Sequence, residues 1–581
     1  MLVLEYAMGA VLQILACFGI TFFIHKALLS RIESKYSLHL AFAIGVILES
    51  TLLGVFFLHG GISLLILKSL MMLKIVFGVV FLVRKSSFII QKIKSNHWLF
   101  IFYSLIFINA CVPTSCYDAF TAHFQVPKYF LEYLSYPNRP DFQYLDALPL
   151  GIHMLYVLPL SLGLEGGLNV YSLIFTIILF DLFMMHYGKR VGLISILLCL
   201  SMPQFIRVAM DPMVDVPNFY FVIFGAVLLN TRKKVKFHYY GLALSWSYLM
   251  CIKPTMLIFP VVLIGVVIYD FIKKEIQIQF AFKMAFCMVI VGLFWNYKAY
   301  IIHENPFYPY LGEGVVKSLL PKFSTIEISV YEKLLNYLEI LFLDHRYFLS
   351  FGPWFLICVP LLFSKNLVLK NDFLIYLLVI LGFILTFYTT SFKNRYFMPY
   401  LILLIPLFAH RLSEAPVIVV RLLKSWVFFV LLTYLPYFLQ PVHAGLKNLS
   451  KDEYYQRKFQ NYSIVNSLNE KEHGKVFYVG SAVYWLNSDH VVSIYSETHF
   501  DYSRIKSVEE LIKKLKHQQI DTVCIDMGHL EGMSKNTSPY YQKNRYLASK
   551  CLTLWCEALK TDKLTVLREE AQVVIAKFQF K

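Results

Sequence analysis

Asp118 and His123 lie in the segment CYDAFTAHF, residues 116–124, which follows an apolar run with the length of a membrane span. An ionisable residue at the edge of a membrane element is a functional candidate, and a carboxylate there can act as a general base. An aspartate in this position can equally serve as the N-cap of the helix that follows, so both roles of Asp118 stay open at this point. Tyr117 and His123 are candidates for substrate contact, although a histidine among aromatic residues more often makes a structural hydrogen bond.

A second acidic pair, Asp211 and Asp215, lies in RVAMDPMVDVPNF, residues 207–219. Pro212 and Pro217 interrupt a continuous helix there, because proline lacks the backbone N–H group that a helix needs. Two carboxylates in a cleft can hold a divalent cation such as Mg²⁺ or Mn²⁺, or can exchange a proton with a substrate. The alternative is that they only cap or solvate the end of a span. The pair is therefore interpreted as a secondary acidic site with a metal left open.

Two cations complete the set of candidate residues. Lys253 lies in YLMCIKPTMLIF between two apolar runs, and a lysine in mid-membrane costs about 2.5–3.5 kcal/mol on insertion scales. It must either extend to the membrane surface or pair with an anion. Arg395, in FKNRYFMPY, lies at the start of another apolar run, and a guanidinium binds phosphate oxygens bidentately. Carboxylates and cations beside an apolar slot suit a ligand with a phosphate head and a long hydrocarbon tail.

The composition indicates which kind of protein positions these residues. The chain has 581 residues, of which 58% are hydrophobic and 16% charged, against about 45–50% and about 25% in soluble proteins. It is therefore predicted to be a polytopic membrane protein, mainly α-helical. The formal net charge of +17, from 54 basic and 37 acidic residues, would suggest a nucleic-acid partner in a soluble chain. In a membrane protein the positive-inside rule explains it, so we expect the lipid bilayer as partner and no nucleic acid.

About twelve to fourteen membrane-spanning helices are predicted from runs of about 20 apolar residues. The candidate segments are 3–24, 38–58, 62–83, 97–113, 168–187, 190–203, 214–230, 238–252, 255–272, 284–301, 351–364, 373–390, 396–410 and 425–439. Basic clusters at 84–94, 188–190, 231–236, 273–274 and 421–424 fall on one face if the N-terminus is outside. That face is predicted to be cytoplasmic, which places Asp118 on the extracytoplasmic side.

Two regions outside the spans carry further structure. The loop 113–167 is rich in Tyr and Phe and is longer than a plain connection, so we expect it to lie on the outer membrane surface as an amphipathic element. Beyond residue 440 the composition becomes polar. Three short strands (475–481, 491–496, 521–527) and a helix at 507–519 with Ser507 as N-cap predict a small extracytoplasmic α/β domain over 441–581. Residues 1–440 then form the transmembrane domain.

Several of these segments together resemble a known family. The stretch CYDAFTAHFQVPKYF resembles the first outer loop of the GT-C integral-membrane glycosyltransferases, in particular protein O-mannosyltransferases, aminoarabinose transferases and Rgt-type lipopolysaccharide glycosyltransferases. Tyr117, Asp118, Ala119 and His123 match the family's pattern, while phenylalanine replaces its usual leucines. MDPMVDVPNFYFVIFGAVLL, IKPTMLIFP, ENPFYPYL and NRYFMPYLILLIPLFA resemble later segments of the family in the same order. The likeness covers roughly residues 97–410, and the three spans before residue 84 go beyond it.

The resemblance implies a GT-C-like fold and a glycosyltransferase that uses a polyprenyl-phosphate-linked sugar as donor. Asp118 is then the catalytic base, Asp211 or Asp215 is the secondary acidic residue, and Lys253 and Arg395 bind the lipid phosphate. The acceptor is an envelope glycolipid such as lipopolysaccharide, a polysaccharide or a protein. The implied location is a bacterial inner membrane with the C-terminal domain outside.

Two alternatives stay open. A flippase or other transporter of lipid-linked sugars would also show many spans, buried charges and broken helices. A non-catalytic component of envelope-polysaccharide assembly would keep the fold without needing Asp118. The long first outer loop and the folded C-terminal domain favour the glycosyltransferase over the transporter.

Overall fold

The structure is a computed structural model. The residues that it describes are 2–30, 32, 34–95, 97–114, 123–136, 150–233, 235–292, 294–306, 351–358, 360, 372–389, 394–459, 461–469, 473–480, 491–493, 502, 505–535, 542–570 and 572–579. The chain divides into two compact units. The first unit contains residues 1–114, 149–298 and 324–448, and the second contains 115–148, 299–323 and 449–581.

The described helices up to residue 303 are α1 (Leu2–Ile24), α2 (Ser37–His59), α3 (Leu64–Ser95), α4 (His97–Ala110), α5 (Gln125–Tyr133), α6 (Gly151–Ser161), α7 (Gly166–Asn169), α8 (Tyr171–Leu200), α9 (Pro203–Met210), α10 (Asp215–Thr231), α11 (Phe237–Ile252), α12 (Ile258–Ile272), α13 (Ile278–Gly292) and α14 (Phe294–His303). A 3₁₀ turn, Pro254–Leu257, leads into α12. The later helices are α15 (Gly352–Cys358), α16 (Asp372–Thr389), α17 (Asn394–Leu401), α18 (Ile405–Glu414), α19 (Val417–Thr433), α20 (Leu435–Phe438), α21 (Gln440–Leu446), α22 (Lys451–Lys458), α23 (Tyr462–Ser467), α24 (Val508–His517), α25 (Met527–Ser534) and α26 (Gln542–Ala558).

The chain is a multi-pass integral membrane protein. Among the described residues, five helices are long and apolar enough to cross a membrane, or up to eight if each of three bent helix pairs is one span. Every segment predicted from hydropathy overlaps a described helix. The number that meets the length criterion is smaller than the predicted twelve to fourteen for three reasons. Some segments are bent, as at the 111° angle between α9 and α10, and others form helices of 10–17 residues. The two predicted spans 168–187 and 190–203 are also counted together as one.

The chain reverses direction within Tyr171–Leu200, as the two predicted spans 168–187 and 190–203 require. Gly188 has φ 80° and ψ 171°, a backbone conformation that is almost restricted to glycine. A Cβ atom at Gly192 would lie 2.7 Å from the Cα of Met184, so the two halves of α8 pack against each other. The basic residues of GKR, 188–190, therefore mark a tight helical hairpin.

Helices α1 to α3 form a compact group at the start of the first unit. A Cβ atom at Gly19 of α1 would lie 1.9 Å from the backbone oxygen of Lys74 in α3, so the two backbones approach as closely as small residues permit. In the same helix Lys74 donates to both carboxylate oxygens of Glu49 in α2, at 2.6 and 2.7 Å. A buried ion pair and a close backbone contact therefore hold the three helices together.

Part of the predicted outer loop is packed inside the first unit. Helix α6 is buried along almost its whole length, with only Leu160 half-buried. Gly151 at its start lies against the carbonyl oxygen of Cys251 at the end of α11, where a Cβ atom would be 2.6 Å away. The earlier part of the loop contains α5, whose buried residues include Val126, Tyr129 and Phe130. The predicted amphipathic character of 113–167 thus applies to α5, and residues 150–161 belong to the interior.

The second unit contains a sheet of five described strands, β1 (Val476–Val479), β2 (Val491–Ser493), β3 (Thr522–Asp526), β4 (Leu564–Glu570) and β5 (Val573–Phe578), in the order β2-β1-β3-β5-β4. The first three strands are parallel, and β5 is antiparallel to both β3 and β4. The three predicted strands and the predicted helix are present, and Ser507 caps α24 by accepting a hydrogen bond from the backbone N–H of Glu510 at 3.3 Å. Leu511, Leu515 and Trp555 are fully buried in the core of this unit.

Candidate functional site

Lys253 and Asp215 form an ion pair where two helices of the first unit are interrupted. Asp215 is the first residue of α10, and Lys253 directly follows the end of α11. Lys253 has φ −145° and ψ 130°, because the ring of the following Pro254 disfavours the helical conformation in the residue before it. The helix break turns the lysine side chain to Asp215, whose Oδ1 accepts a hydrogen bond from the Lys253 Nζ.

The pair is almost completely removed from solvent. Asp215 is 1% exposed and Lys253 is 9% exposed. Either charge alone would be costly to bury, but the two together are neutral. Removing one of the two charged side chains would leave the other buried without a partner. Tyr156 of α6, also buried, is close enough to Asp215 for the two groups to interact electrostatically. The sequence predicted that Lys253 either extends to the surface or pairs with an anion, and the structure shows the second arrangement.

Asn218 lies one helical turn after Asp215 and is fully buried, with 0% exposure. Neither its Nδ2 nor its Oδ1 atom has a hydrogen-bond partner among the described residues. Most buried side-chain amides are hydrogen-bonded, so Asn218 is unusual. Asn218 was not among the predicted site residues, although an asparagine in the first turn of an apolar helix was a visible signal.

The structure separates the two aspartates that the sequence placed together. Asp211 lies before the bend between α9 and α10, where its Oδ1 accepts a hydrogen bond from the Thr114 hydroxyl at 3.4 Å. Its backbone oxygen accepts from Ser172 at 2.6 Å, and Asn109 donates to the neighbouring Met210 oxygen at 3.2 Å. The chain after α4 is therefore attached to the bend at Asp211, while Asp215 pairs with Lys253.

The remaining candidates are distributed differently. His123 lies two residues before α5, in the second unit, and is buried. Arg395 is the second residue of α17, and its side chain lies outside what the structure describes. Tyr117 and Asp118, the predicted catalytic base, lie outside the described residues.

A divalent cation was expected as an option at Asp211 and Asp215. Across the described ranges, no group of three or more His, Cys, Asp or Glu side chains is arranged to hold a metal ion. The carboxylate of Asp215 is instead paired with an ammonium group. A divalent cation held by Asp211 or Asp215 stays a prediction.

Further buried charges, which were not among the predicted site residues, occur elsewhere in the first unit. Besides Glu49 and Lys74, Arg232 donates from Nε and Nη2 to the two carboxylate oxygens of Asp270 at 2.7 and 3.0 Å. The Tyr239 hydroxyl donates to the same carboxylate at 3.0 Å. Each of the four charged residues was visible in or beside an apolar run, but its partner is distant in sequence.

Comparison with known proteins gives a structural likeness only. No model of a protein family matches the chain, and no curated protein matches its sequence. Two solved structures match the fold, both of ArnT from Cupriavidus metallidurans, one bound to undecaprenyl phosphate and one in the apo state. Their TM-scores are 0.53 and 0.51, with 11% identity, covering 83% of this chain and 98% of ArnT. The prediction of a mainly α-helical, multi-pass membrane fold with a small C-terminal α/β region is confirmed, and this fold is similar to that of ArnT.

Proposed function

We propose that this chain, whose fold is that of ArnT, is a membrane glycosyltransferase that uses a polyprenyl-phosphate-linked monosaccharide as donor. The observation that carries the proposal is the buried Lys253–Asp215 pair at a helix break within that fold. ArnT with this fold binds undecaprenyl phosphate, and a buried ammonium beside apolar helices suits the phosphate of such a lipid. The proposed acceptor is an envelope glycolipid, polysaccharide or protein.

Lys253 is proposed to bind the lipid phosphate. Its ammonium has three N–H donors, so it can donate to Asp215 and to a phosphate oxygen at once or move from one to the other. A phosphate in this low-dielectric place is attracted to the cation more strongly than in water. Asp215 holds the ammonium group in place before the lipid arrives, through their hydrogen bond. Arg395 is proposed as the second cation, because a guanidinium matches the geometry of phosphate oxygens.

The proposed reaction is an inverting transfer with Asp118 as base. The Asp118 carboxylate takes the proton of the acceptor hydroxyl, and the acceptor oxygen forms a bond to the anomeric carbon. The bond between that carbon and the phosphate oxygen breaks, and its electron pair remains on the polyprenyl phosphate. Since a phosphate is a better leaving group than a sugar alkoxide, cations that stabilise its charge are sufficient and no protonated acid is required.

The active side is proposed to be extracytoplasmic. The basic clusters at 188–190, 231–236 and 273–274 follow the cytoplasmic ends of helices in the predicted orientation, and Lys253 is at the opposite end of α11 from 231–236. In that orientation the C-terminal residues lie outside, and a bacterial inner membrane is proposed because the family resemblance implies it. An alkaline-phosphatase fusion at residue 445 is expected to be active, and a silent fusion would contradict this sidedness.

A binding experiment tests the role of Lys253. Purified full-length protein is titrated with undecaprenyl phosphate, and wild type is compared with the charge-neutral double variant Lys253→Met/Asp215→Asn. Loss of a charge-assisted contact is expected to weaken binding about ten- to hundredfold. The exposed Lys236, just before α11, provides the control variant Lys236→Met, which is expected to bind as wild type. Equal affinity of the double variant and wild type would contradict the proposed site.

A reconstituted assay distinguishes the proposed glycosyltransferase from a flippase and from a non-catalytic component. Proteoliposomes receive a polyprenyl-phosphate-linked sugar and envelope acceptors, and product formation is measured in wild type and Asp118→Asn. Transfer by wild type and none by Asp118→Asn is the expected result. Movement of the donor between leaflets without transfer would identify a flippase.

A further inference from the structure

We propose that Asn218 is a positioning residue, the alternative hydrogen-bond partner of the Asp215 carboxylate when Lys253 turns to the donor phosphate. The part of this inference that concerns the phosphate rests on the proposed function. The part that concerns Asn218 and Asp215 rests on the described geometry alone. Asn218 therefore acts through Asp215 and Lys253 and does not itself contact the reacting atoms.

The position of Asn218 on α10 places it on the same side of the helix as Asp215. Residues three apart on a helix are neighbours, with Cβ atoms about 5–6 Å apart, so Asn218 follows Asp215 on the same side. Further along α10, Phe221 packs on Tyr248 of α11 with ring centroids 5.0 Å apart. The indole of Trp246 in α11 donates to the Val222 oxygen at 3.4 Å.

These contacts define the α10 flank that faces α11. Counting 100° per residue around α10, Asn218 lies about 60° from Asp215 and about 60° from Phe221 on the flank that joins them. Asp215 contacts Lys253, and Phe221 contacts Tyr248. Asn218 is therefore located in the interface of α10 and α11, one turn below the ion pair.

The hydrogen-bonding capacity of Asn218 is unused in the described structure. Both amide atoms are buried and have no partner among the described residues, although a buried amide without a hydrogen bond is destabilising. A leucine of similar size would fill the same space without that cost. Two N–H donors without a described hydrogen-bond partner thus lie within one helical turn of a buried carboxylate.

The N–H donors of Asn218 can bind the Asp215 carboxylate when Lys253 moves away from it. If the Lys253 ammonium moves to a phosphate, Asp215 remains as a buried anion, and an uncompensated buried charge is strongly unfavourable. A hydrogen bond from the Asn218 Nδ2 to the carboxylate lowers that cost. Since the cost would otherwise oppose lipid binding, Asn218 allows Lys253 to exchange its partner.

A double-mutant cycle on the full-length protein in detergent tests the pairing without any assumption about activity. Asn218→Leu, Lys253→Met and the double variant are compared by thermal unfolding, with Lys253→Gln as the substitute if Lys253→Met does not fold. Asn218→Leu alone is expected to change the midpoint little. The double variant is expected to lose about 2–4 °C more than the sum of the single variants.

The same cycle in an Asp215→Asn background is the control. There the carboxylate is absent, so the coupling between positions 218 and 253 is expected to disappear. Additive effects in the Asp215 protein, or an equal coupling in both backgrounds, would overturn the inference. Asn218→Ser keeps an O–H donor, so in the Lys253→Met protein it is expected to lose less stability than Asn218→Leu does.

A kinetic experiment addresses the link to lipid binding. Asn218→Leu is expected to raise the donor KM about tenfold, the change that about 1.4 kcal/mol produces, with kcat nearly unchanged. Such a split indicates weaker binding in the ground state and the transition state alike. A lower kcat at constant KM would contradict the positioning role. If the chain has no transferase activity the proposed function fails, and the stability cycle still decides the role of Asn218.

Discussion

Asp215 and Arg232 lie at opposite ends of the same helix, and each is held in a buried ion pair with a residue from a neighbouring element. Asp215 begins α10 and pairs with Lys253, whereas Arg232 directly follows α10 and pairs with Asp270 of α12. The 17 residues of α10 separate the two pairs by about 25 Å. In the orientation proposed above, one pair is near the outer surface and the other near the cytoplasm. Two similar pairs at the two ends of one helix allow matched experiments.

The first prediction concerns the stability of the outer pair. Lys253→Met leaves the Asp215 carboxylate buried without its cation, and about 3 kcal/mol or more of stability should be lost. Adding Asp215→Asn removes the uncompensated charge, so the double variant should unfold within a few degrees of wild type. Detergent thermal unfolding followed by size-exclusion chromatography measures both. A double variant less stable than Lys253→Met would show that the two residues are not coupled in this way.

The second prediction uses the inner pair as a control for function. Arg232→Met/Asp270→Leu removes both charges together, and because the pair is about 25 Å from Lys253 along α10, its loss should leave the affinity for undecaprenyl phosphate unchanged. Arg232→Lys should be destabilising, since a lysine cannot reproduce the two parallel hydrogen bonds to Asp270. The affinity is measured by lipid titration and the stability by thermal unfolding. A tenfold weaker affinity in the double variant would refute the assignment of the lipid site to the outer end.

The separation of charges that the sequence placed side by side shows where prediction stops. Asp211 and Asp215 are four residues apart, and only the bend at 111° between α9 and α10 directs them to different partners. The pairing of Lys253 with Asp215 joins residues 38 apart in sequence, and it depends on how α10 packs against α11. Hydropathy gives the positions of helices, but such packing follows from contacts between elements that no local pattern contains.

The C-terminal sheet illustrates the same limit. Strands β1 to β3 and the helix α24 were predicted because short β-branched runs and a serine N-cap are local signals. Strand β4 was not predicted, since Leu564–Glu570 ends in charged residues, among them Glu569 and Glu570, which are poor strand formers. Strand β5 has the β-branched sequence VVIAKF, so its local signal was present and was overlooked. Antiparallel pairing with β5 provides β4 with the backbone hydrogen bonds that its own sequence does not favour.

The third prediction concerns the helical hairpin at Gly188. Its φ of 80° and ψ of 171° are strained for any residue with a Cβ atom, so Gly188→Ala should destabilise the protein by about 1–3 kcal/mol. A Cβ atom added at Gly265 of α12 would meet no other atom within 4 Å among the described residues, so Gly265→Ala is the matched control and should be neutral or slightly stabilising. Thermal unfolding of both variants measures the difference, and equal midpoints would contradict a tight reversal at Gly188.

The fourth prediction is a pH dependence of the second unit. Burial lowers the pKa of His529 below its ordinary value, and the nearby Asp526 only partly opposes this effect. The unfolded histidine, with a pKa of about 6.5, therefore binds a proton before the folded one does. Stability is fully present above about pH 6.5 and decreases as the pH falls through that value toward the folded pKa.

Hydrogen exchange of the full-length protein measures this effect in peptides from β3, after correction for the intrinsic rate. Protection should decrease several-fold between pH 7.5 and 5.5 in wild type. His529→Gln keeps a polar side chain but does not titrate, so its protection should change less over the same interval. An identical pH dependence in the variant would assign the effect to other groups.

The central claim is that this chain transfers a monosaccharide to an envelope acceptor with Asp118 as base. Mass spectrometry of envelope glycolipids, polysaccharides and glycoproteins tests it most directly, in a deletion strain complemented with wild type, Asp118→Asn or the control Asp562→Asn, whose side chain is exposed. The expected result is an acceptor that lacks the mass of one sugar residue in the deletion strain. Wild type and Asp562→Asn should restore it, and Asp118→Asn should not, although it is produced and inserted normally. An unchanged envelope in the deletion strain, or full restoration by Asp118→Asn, would contradict the claim.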